Sequence, residues 1–146
     1  MPIPRRIMMA GLFVWTAGLA FTPLLDWRSP DSGFVTRPNR GKLTVVYVGA
    51  DDCAPCIRWR RERRPDFQRS VAFQRIEYRE IIAPKLLSAL EDQYWPEPMR
   101  SMRSLIVKAG GGVPHWFLLR NGRVIMSAGG DSAWDRQVWP TIVMES

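Results

Sequence analysis

Apolar and polar positions divide the chain into an apolar N-terminal stretch, a polar linker and an alternating series of strands and helices. Residues 42–49 (KLTVVYVG) form a continuous β-branched and aromatic run, which is typical of a strand buried on both faces. A polar, helix-compatible run then extends to about Ser70, and the alternation in residues 71–78 (VAFQRIEY) predicts a second strand.

The second half of the chain predicts further helices and a β-hairpin. Four elements follow the second strand: helices over residues 83–93 and 99–108, and strands over residues 115–120 and 123–127. Asn121-Gly122 between the two strands is a strong hairpin signal. Residues 134–143 predict a closing helix whose last turns Pro140 weakens. The order β-α-β-α(α)-β-β-α predicts one α/β domain with parallel strands first and an antiparallel hairpin last.

The N-terminal stretch, residues 7–25, is uncharged and follows Arg5 and Arg6. As a helix it would be about 28 Å long, close to the roughly 30 Å hydrocarbon core of a membrane. Its apolar residues would cover every face of that helix, unlike the single stripe of a soluble core helix. We therefore expect residues 1–25 to be a signal anchor in the cytoplasmic membrane or a signal peptide cleaved near Ala20. In both cases the two arginines stay in the cytoplasm, and the domain lies in the periplasm or extracytoplasmic space.

Residues 26–41 are rich in Pro, Ser, Gly and charge, and we interpret them as a tether to a domain formed by residues 42–146. The chain has a net charge of +7, with five basic and two acidic residues among the first forty. The remaining sixteen basic and twelve acidic residues leave the domain at only about +4. A net positive charge this small does not indicate a nucleic-acid partner, and we expect none.

The candidate chemistry lies in Cys53-Ala54-Pro55-Cys56, where the first strand turns into a helix. A helix N-terminus presents unpaired N–H groups, which stabilise a thiolate, and Cys-x-x-Cys thiols reach pKa values of about 3.5–7.5. We expect Cys53, the first and outermost, to be the attacking nucleophile, and the more buried Cys56 to resolve the mixed disulfide. Pro55 fits the first helical turn, where its missing N–H costs nothing.

Two other interpretations of the cysteines stay open. A passive disulfide would stabilise the domain little, because it closes a very short loop. A metal site would have only Cys53, Cys56 and the single histidine, His115, as its soft ligands, a set that suits Cu(I).

These motifs resemble the thioredoxin superfamily over residues 42–143. The strand–CAPC–helix run matches the first half of the family's fold, and Gly112-Val113-Pro114 before the hairpin matches the second half. The resemblance implies a thioredoxin-like three-layer α/β sandwich with a mixed sheet, here preceded by the membrane or signal helix. It also implies that Pro114 is cis beside the redox pair, that Val113 pairs with the substrate backbone, and that the Cys53–Cys56 disulfide serves without a further cofactor.

The sequence departs from the family pattern beside the cysteines. Tyr47 stands where thioredoxins proper carry a buried carboxylate, and Asp52 stands where an aromatic residue usually precedes the first cysteine. Asp51 and Asp52 are expected either to raise the pKa of Cys53 by like-charge repulsion or to cap the helix. His115 is either a neighbour of the thiols or an ordinary packed residue.

Arginines crowd the predicted helix around Trp59. They are Arg58, Arg60, Arg61, Arg63 and Arg64. The interpretation we favour is a solvated face whose long stems cover apolar surface. The alternatives are a contribution to thiolate character at Cys53, or docking of an acidic partner or anionic lipid headgroups.

The sequence thus predicts a thiol–disulfide oxidoreductase that acts on protein disulfides or dithiols outside the cytoplasmic membrane. We favour a reductase, because no histidine lies between the cysteines to stabilise the reduced form. A reductase would need a membrane electron donor, and residues 7–25 would hold it at the membrane. The resemblance implies a role such as cytochrome c or metal-site maturation. The alternative from another class is a non-catalytic copper or zinc carrier with the same fold.

Overall fold

A computed structural model of the protein describes residues 41–146. Its centre is a mixed four-stranded sheet in the order β2-β1-β3-β4. Strand β1 (Leu43–Ala50) pairs parallel with β2 (Glu77–Ala83) and antiparallel with β3 (His115–Arg120). Strand β4 (Arg123–Gly129) pairs antiparallel with β3 at the opposite edge. The mixed sheet and its terminal hairpin confirm the predicted α/β class.

Helices and single turns connect and cover these strands. The α-helices are α1 (Ala54–Glu62), α2 (Arg64–Arg69), α3 (Val71–Arg75), α4 (Arg100–Lys108) and α5 (Trp139–Glu145). Single 3₁₀ turns occupy Leu86–Ser88, Asp92–Tyr94 and Glu97–Met99, and a π-helical turn at Trp134–Val138 leads into α5.

Strand β1 lies between two hydrophobic layers, as its continuous apolar run predicted. On one face Val45 and Tyr47 pack in a cluster with Trp59 of α1, to which the C-terminal helical residues also contribute. On the other face Val46 and Val48 pack in a cluster that includes residues of α4. Because side chains alternate along a strand, one strand supplies both cores. The result is a three-layer sandwich with β1 at its centre.

The strand predicted over residues 71–78 is wrong in its first half. Residues Val71–Arg75 form α3, and β2 begins only at Glu77. Ser70 starts this helix, because its hydroxyl accepts a hydrogen bond from the backbone N–H of Phe73 at 3.1 Å. The side chain of Phe73 then packs edge-to-face on Phe67. The apparent alternation was therefore one helical turn followed by the start of a strand.

The helix predicted over residues 83–93 is also wrong. Strand β2 continues to Ala83, which pairs with Ala50 of β1, and the backbone N–H of Asp51 donates to the Ala83 carbonyl at 2.9 Å. Pro84 follows, and a residue before proline disfavours the helical region. The chain beyond it forms isolated 3₁₀ turns instead of a helix.

Other predicted elements agree with the structure in type. The helix over residues 99–108 is α4, and Asn121 and Gly122 form the hairpin turn with φ of 52° and 75°. The helical run to Ser70 is confirmed but breaks at Arg63 between α1 and α2. Pro140 lies in the first turn of α5, so it begins this helix rather than weakening its end.

The predicted signal anchor or signal peptide, residues 1–25, lies outside the described residues, as does the tether up to residue 40. Within residues 41–146, no helix is both long enough and apolar enough to cross a membrane.

Candidate active site

The two cysteines lie where β1 gives way to α1. Cys53 has an extended backbone and is the N-cap of α1, with Pro55 in the first helical turn. Cys53 and Cys56 form a disulfide whose Cα atoms are 5.1 Å apart. Cys53 therefore lies at the N-terminus of α1, shortly after the end of β1. Cys56 lies one helical turn later, on the same side of the helix as Cys53.

The backbone N–H of Cys56 points at the sulfur of Cys53. It donates to Cys53 Sγ at 3.2 Å, in buried surroundings, and the first turn of α1 holds no acidic residue. Once the disulfide is opened, the same N–H and the helix terminus would stabilise a thiolate at Cys53. The geometry therefore favours Cys53 as the nucleophile.

Val113 lies against the disulfide from the other end of the chain. Its carbonyl oxygen is 3.7 Å from Cys53 Sγ, and the Val113–Pro114 peptide bond is cis. The sheet explains this proximity, because Val48 near the end of β1 pairs with His115 at the start of β3. The residues just before β3 therefore meet the residues just after β1. The structure brings Cys53, Cys56 and Val113 together; the substrate contact of Val113 and Pro114 stays a prediction.

Both sulfur-bearing residues are buried, which differs from the expected outermost position of Cys53. Cys53 is 1% exposed and Cys56 is 0% exposed. They pack in one cluster with Ala50, Ala83 and Ala89, against which Tyr94 and Val113 also lie. Ala89 belongs to the helix predicted over residues 83–93, and Tyr94 directly follows it. That incorrect prediction is why sequence reasoning missed the burial of the pair.

Asp52 does not cap α1, contrary to one of our two expectations. The N-cap is Cys53, and the carboxylate of Asp52 turns instead toward the loop after β2. Its Oδ1 accepts a hydrogen bond from the backbone N–H of Leu86 at 2.5 Å, and its Oδ2 lies 3.8 Å from Lys85 Nζ. Asp51 forms an ion pair with Arg60 at 2.8 Å. No pattern in the sequence predicts the contact between Asp52 and Leu86.

The arginines of the α1 region all have acidic partners. The pairs are Arg58–Asp131, Arg60–Asp51, Arg61–Glu62, Arg63–Asp135 and Arg64–Glu80, at distances of 2.6 to 3.1 Å. Most of these side chains are exposed, and exposed ion pairs contribute little to stability. This arrangement is the solvated face that we favoured from sequence, with its charge locally neutralised.

His115 is a packed residue at the start of β3. It is 5% exposed, its Nε2 lies 2.8 Å from Ser127 Oγ, and its ring centroid lies 4.8 Å from that of Phe117. Gly129 makes room for the ring, because a Cβ at this position would collide with the imidazole. Burial lowers the pKa of His115, which the nearby Gly112 backbone opposes. The imidazole is therefore held in its neutral form.

Tyr47 is a fully buried residue of β1 with a neutral phenol side chain. Its ring stacks on Trp59 with centroids 4.4 Å apart, and its buried hydroxyl has no hydrogen-bond partner among residues 41–146. Burial raises the pKa of Tyr47 to about 12. At neutral pH this group can neither carry charge nor accept a proton from Cys56.

The alternative function, a copper or zinc carrier, would require several side chains placed to bind one metal ion. Among residues 41–146, no cluster of three or more His, Cys, Asp or Glu side chains is placed to hold a metal ion.

No protein-family model and no curated protein matches the sequence. Among solved structures, the chain is similar to the Malassezia sympodialis thioredoxin Mala s 13, with 13% identity and a TM-score of 0.47 over 75% of this chain and 82% of that one. It is also similar to Chlamydomonas reinhardtii thioredoxin f2, with 16% identity and a TM-score of 0.38 over 73% of this chain and 79% of that one. At these values neither structure informs on function, which has to be inferred from the site itself.

Proposed function

We propose that this protein is a thiol–disulfide oxidoreductase that uses Cys53 and Cys56 to reduce disulfides in other proteins. The observation that carries the proposal is the hydrogen bond from the Cys56 N–H to Cys53 Sγ at the N-terminus of α1. A passive disulfide needs no donor aimed at one of its sulfurs, whereas a nucleophilic thiolate is stabilised by one. The short loop between the cysteines also makes a purely stabilising role a weak one.

The reaction passes two electrons from the dithiol to the substrate. The Cys53 thiolate attacks one sulfur of a substrate disulfide, forming a mixed disulfide and releasing the other substrate sulfur as a thiolate. Cys56 then loses its proton and attacks Cys53 Sγ. The second substrate sulfur leaves, and the Cys53–Cys56 disulfide closes. The substrate ends as a dithiol once its two thiolates take up protons, and the domain ends oxidised.

The direction of electron flow follows from how little stabilises the reduced form. A strong oxidant owes its potential to a reduced state with an unusually stable thiolate. Here one N–H and the helix terminus favour the thiolate, no histidine lies between the cysteines, and the arginines Arg58 and Arg60 of α1 are paired with Asp131 and Asp51. We therefore favour a reductase, which requires a dithiol electron donor to restore the reduced pair.

The N-terminal residues motivate the cellular part of the proposal. Residues 7–25 have the length and composition of a membrane anchor or signal segment. We propose that the domain works outside the cytoplasmic membrane and receives electrons from a membrane donor. Protein disulfides in cytochrome c or metal-site maturation are the substrate class that fits such a location.

Single-cysteine variants test the chemistry. With dithiothreitol as electron source and insulin as disulfide substrate, the natural protein should accelerate insulin reduction, and Cys53→Ser should abolish the acceleration. After reduction and removal of dithiothreitol, Cys56→Ser incubated with insulin should instead accumulate a mixed disulfide through Cys53, visible by non-reducing mass spectrometry. The double variant is the control for background reduction. Full activity in Cys53→Ser would contradict the mechanism.

A further inference from the structure

The proposed chemistry requires a substrate sulfur to reach Cys53 Sγ, yet Cys53 is 1% exposed. Residues 85–95, which we call the covering segment, lie over the disulfide. Within it Ala89 is 2% exposed and packs in the same cluster as both cysteines, and Tyr94 lies against that cluster. A substrate can therefore reach the sulfur only if this cover moves.

Side-chain contacts hold the covering segment at both ends. At its start, the Asp52 carboxylate accepts the N–H of Leu86 at 2.5 Å and lies 3.8 Å from Lys85 Nζ. Further along, Trp95 Nε1 donates to the Ala89 carbonyl at 3.0 Å, and Arg103 of α4 donates to the Leu90 carbonyl at 2.9 Å. An ion pair between Arg103 and Asp92, at 3.0 Å, adds to the second attachment.

The two ends of the segment differ: Ala89, Leu90, Tyr94 and Trp95 pack into the core clusters, whereas residues 85–88 have little besides the Asp52 contacts to keep them closed. The regular structure of the segment is limited to the 3₁₀ turns Leu86–Ser88 and Asp92–Tyr94. Leu86 is 46% exposed and Leu87 is 98% exposed, so the aliphatic side chains at the start of the segment contribute little burial. Segments with few buried apolar contacts open locally at a fraction of the global unfolding free energy.

We propose that Asp52 is a positioning residue that holds the covering segment over the Cys53–Cys56 disulfide, and that release of this contact admits the substrate. Asp52 directly precedes Cys53, so one residue joins the redox pair to its cover. The inference rests on the proposed function for its biological meaning. The cover itself can be measured without any enzymatic assay.

Reduction of the oxidised full-length protein by a neutral phosphine, tris(3-hydroxypropyl)phosphine, measures access to the sulfurs. The phosphine gives two electrons to the disulfide and, with water, leaves as phosphine oxide while two thiols form. Loss of the Asp52 acceptor in Asp52→Ala should raise the second-order rate constant about fivefold, the effect of one surface hydrogen bond on the open population. Amide exchange should accelerate over residues 86–90 and stay unchanged in α4.

Two matched variants distinguish the hydrogen bond of Asp52 to Leu86 from the negative charge of Asp52 as the cause of a changed rate. Asp52→Asn loses the charge but keeps an oxygen that can accept the Leu86 N–H, so it should reduce at nearly the natural rate. Asp51→Ala removes the neighbouring carboxylate, which does not touch the covering segment, and should also leave the rate unchanged. If Asp52→Asn and Asp51→Ala are as fast as Asp52→Ala, charge alone explains the effect and the proposal is wrong.

A variant at the other attachment keeps the test valid if Asp52→Ala folds poorly. Arg103→Gln removes the contacts to Leu90 and Asp92 without changing a residue next to a cysteine, and should also accelerate reduction severalfold. If neither Asp52→Ala nor Arg103→Gln changes the rate of disulfide reduction, the proposal that the covering segment limits access to the disulfide is wrong. Insulin reduction by the natural protein, measured in parallel, shows whether the oxidoreductase proposal survives that result.

Discussion

The framework that carries the cysteines and the segment that covers them are built differently. The framework, β1 and α1, is regular: β1 is hydrogen-bonded on both sides, and Trp59 anchors α1 onto it within an aromatic cluster. The covering segment consists of single turns held by the side chains of Asp52, Trp95 and Arg103. The difference indicates a division of tasks, in which the framework fixes the sulfur positions and the covering segment controls access to them.

The largest expected effect comes from breaking the framework at Trp59. Its ring lies 4.4 Å from Tyr47, 5.0 Å from Trp134 and 5.4 Å from Trp116, measured between centroids. Trp59→Ala would leave a cavity between α1 and the sheet, and should lower the free energy of unfolding by about 3–5 kcal/mol. Urea denaturation followed by circular dichroism measures this loss. A loss below about 1 kcal/mol would mean that α1 is not anchored as described.

A smaller effect on the framework should appear with pH through His115. Burial depresses the pKa of His115 in the folded state. Below its ordinary value of about 6.5, the unfolded chain binds a proton that the folded chain resists, so stability is lost as pH falls, at most about 1.4 kcal/mol per pH unit. His115→Gln should flatten this part of the profile between about pH 7 and 5. Identical profiles of the two proteins by denaturation would contradict the account.

The smallest effect tests the covering segment through Trp95. Trp95→Phe removes the hydrogen bond to the Ala89 carbonyl but keeps most of the buried ring, so unfolding should cost about 1 kcal/mol less. Reduction of the disulfide by a neutral phosphine should nonetheless become several times faster. Trp59→Phe is the matched control, because in the described part of the chain nothing accepts a hydrogen bond from the indole nitrogen of Trp59. If disulfide reduction accelerates equally in Trp95→Phe and Trp59→Phe, the covering segment does not control access separately from the framework.

Sequence predicted the framework because its signals are local. A continuous apolar run, a Cys-x-x-Cys pair with proline in the first helical turn, and an Asn-Gly turn each constrain a few neighbouring residues. These signals sufficed for β1, α1 and the hairpin. The resemblance, and not the periodicity, predicted Pro114 beside the redox pair; the pairing of Val48 with His115 explains why Val113 lies next to Cys53.

The covering segment could not be predicted in the same way. Residues 83–93 have a helix-compatible pattern, and pairing with β1 together with Pro84 overrides it. The contact between Asp52 and Leu86 joins residues 34 positions apart, and a surface aspartate carries no mark of its partner. Burial of the cysteines depends on that tertiary contact, so their exposure was predicted incorrectly while their position was not.

The redox potential of the Cys53–Cys56 pair tests the central claim most directly. Equilibrating the purified protein in graded dithiothreitol or glutathione buffers, and counting free thiols by alkylation and mass spectrometry, gives the potential. The account predicts one reversible two-electron couple near or below about −250 mV, on a scale where thioredoxin lies near −270 mV and a strong oxidant near −120 mV. A potential above about −180 mV would contradict the reductase direction. The absence of a reversible couple would contradict the oxidoreductase itself.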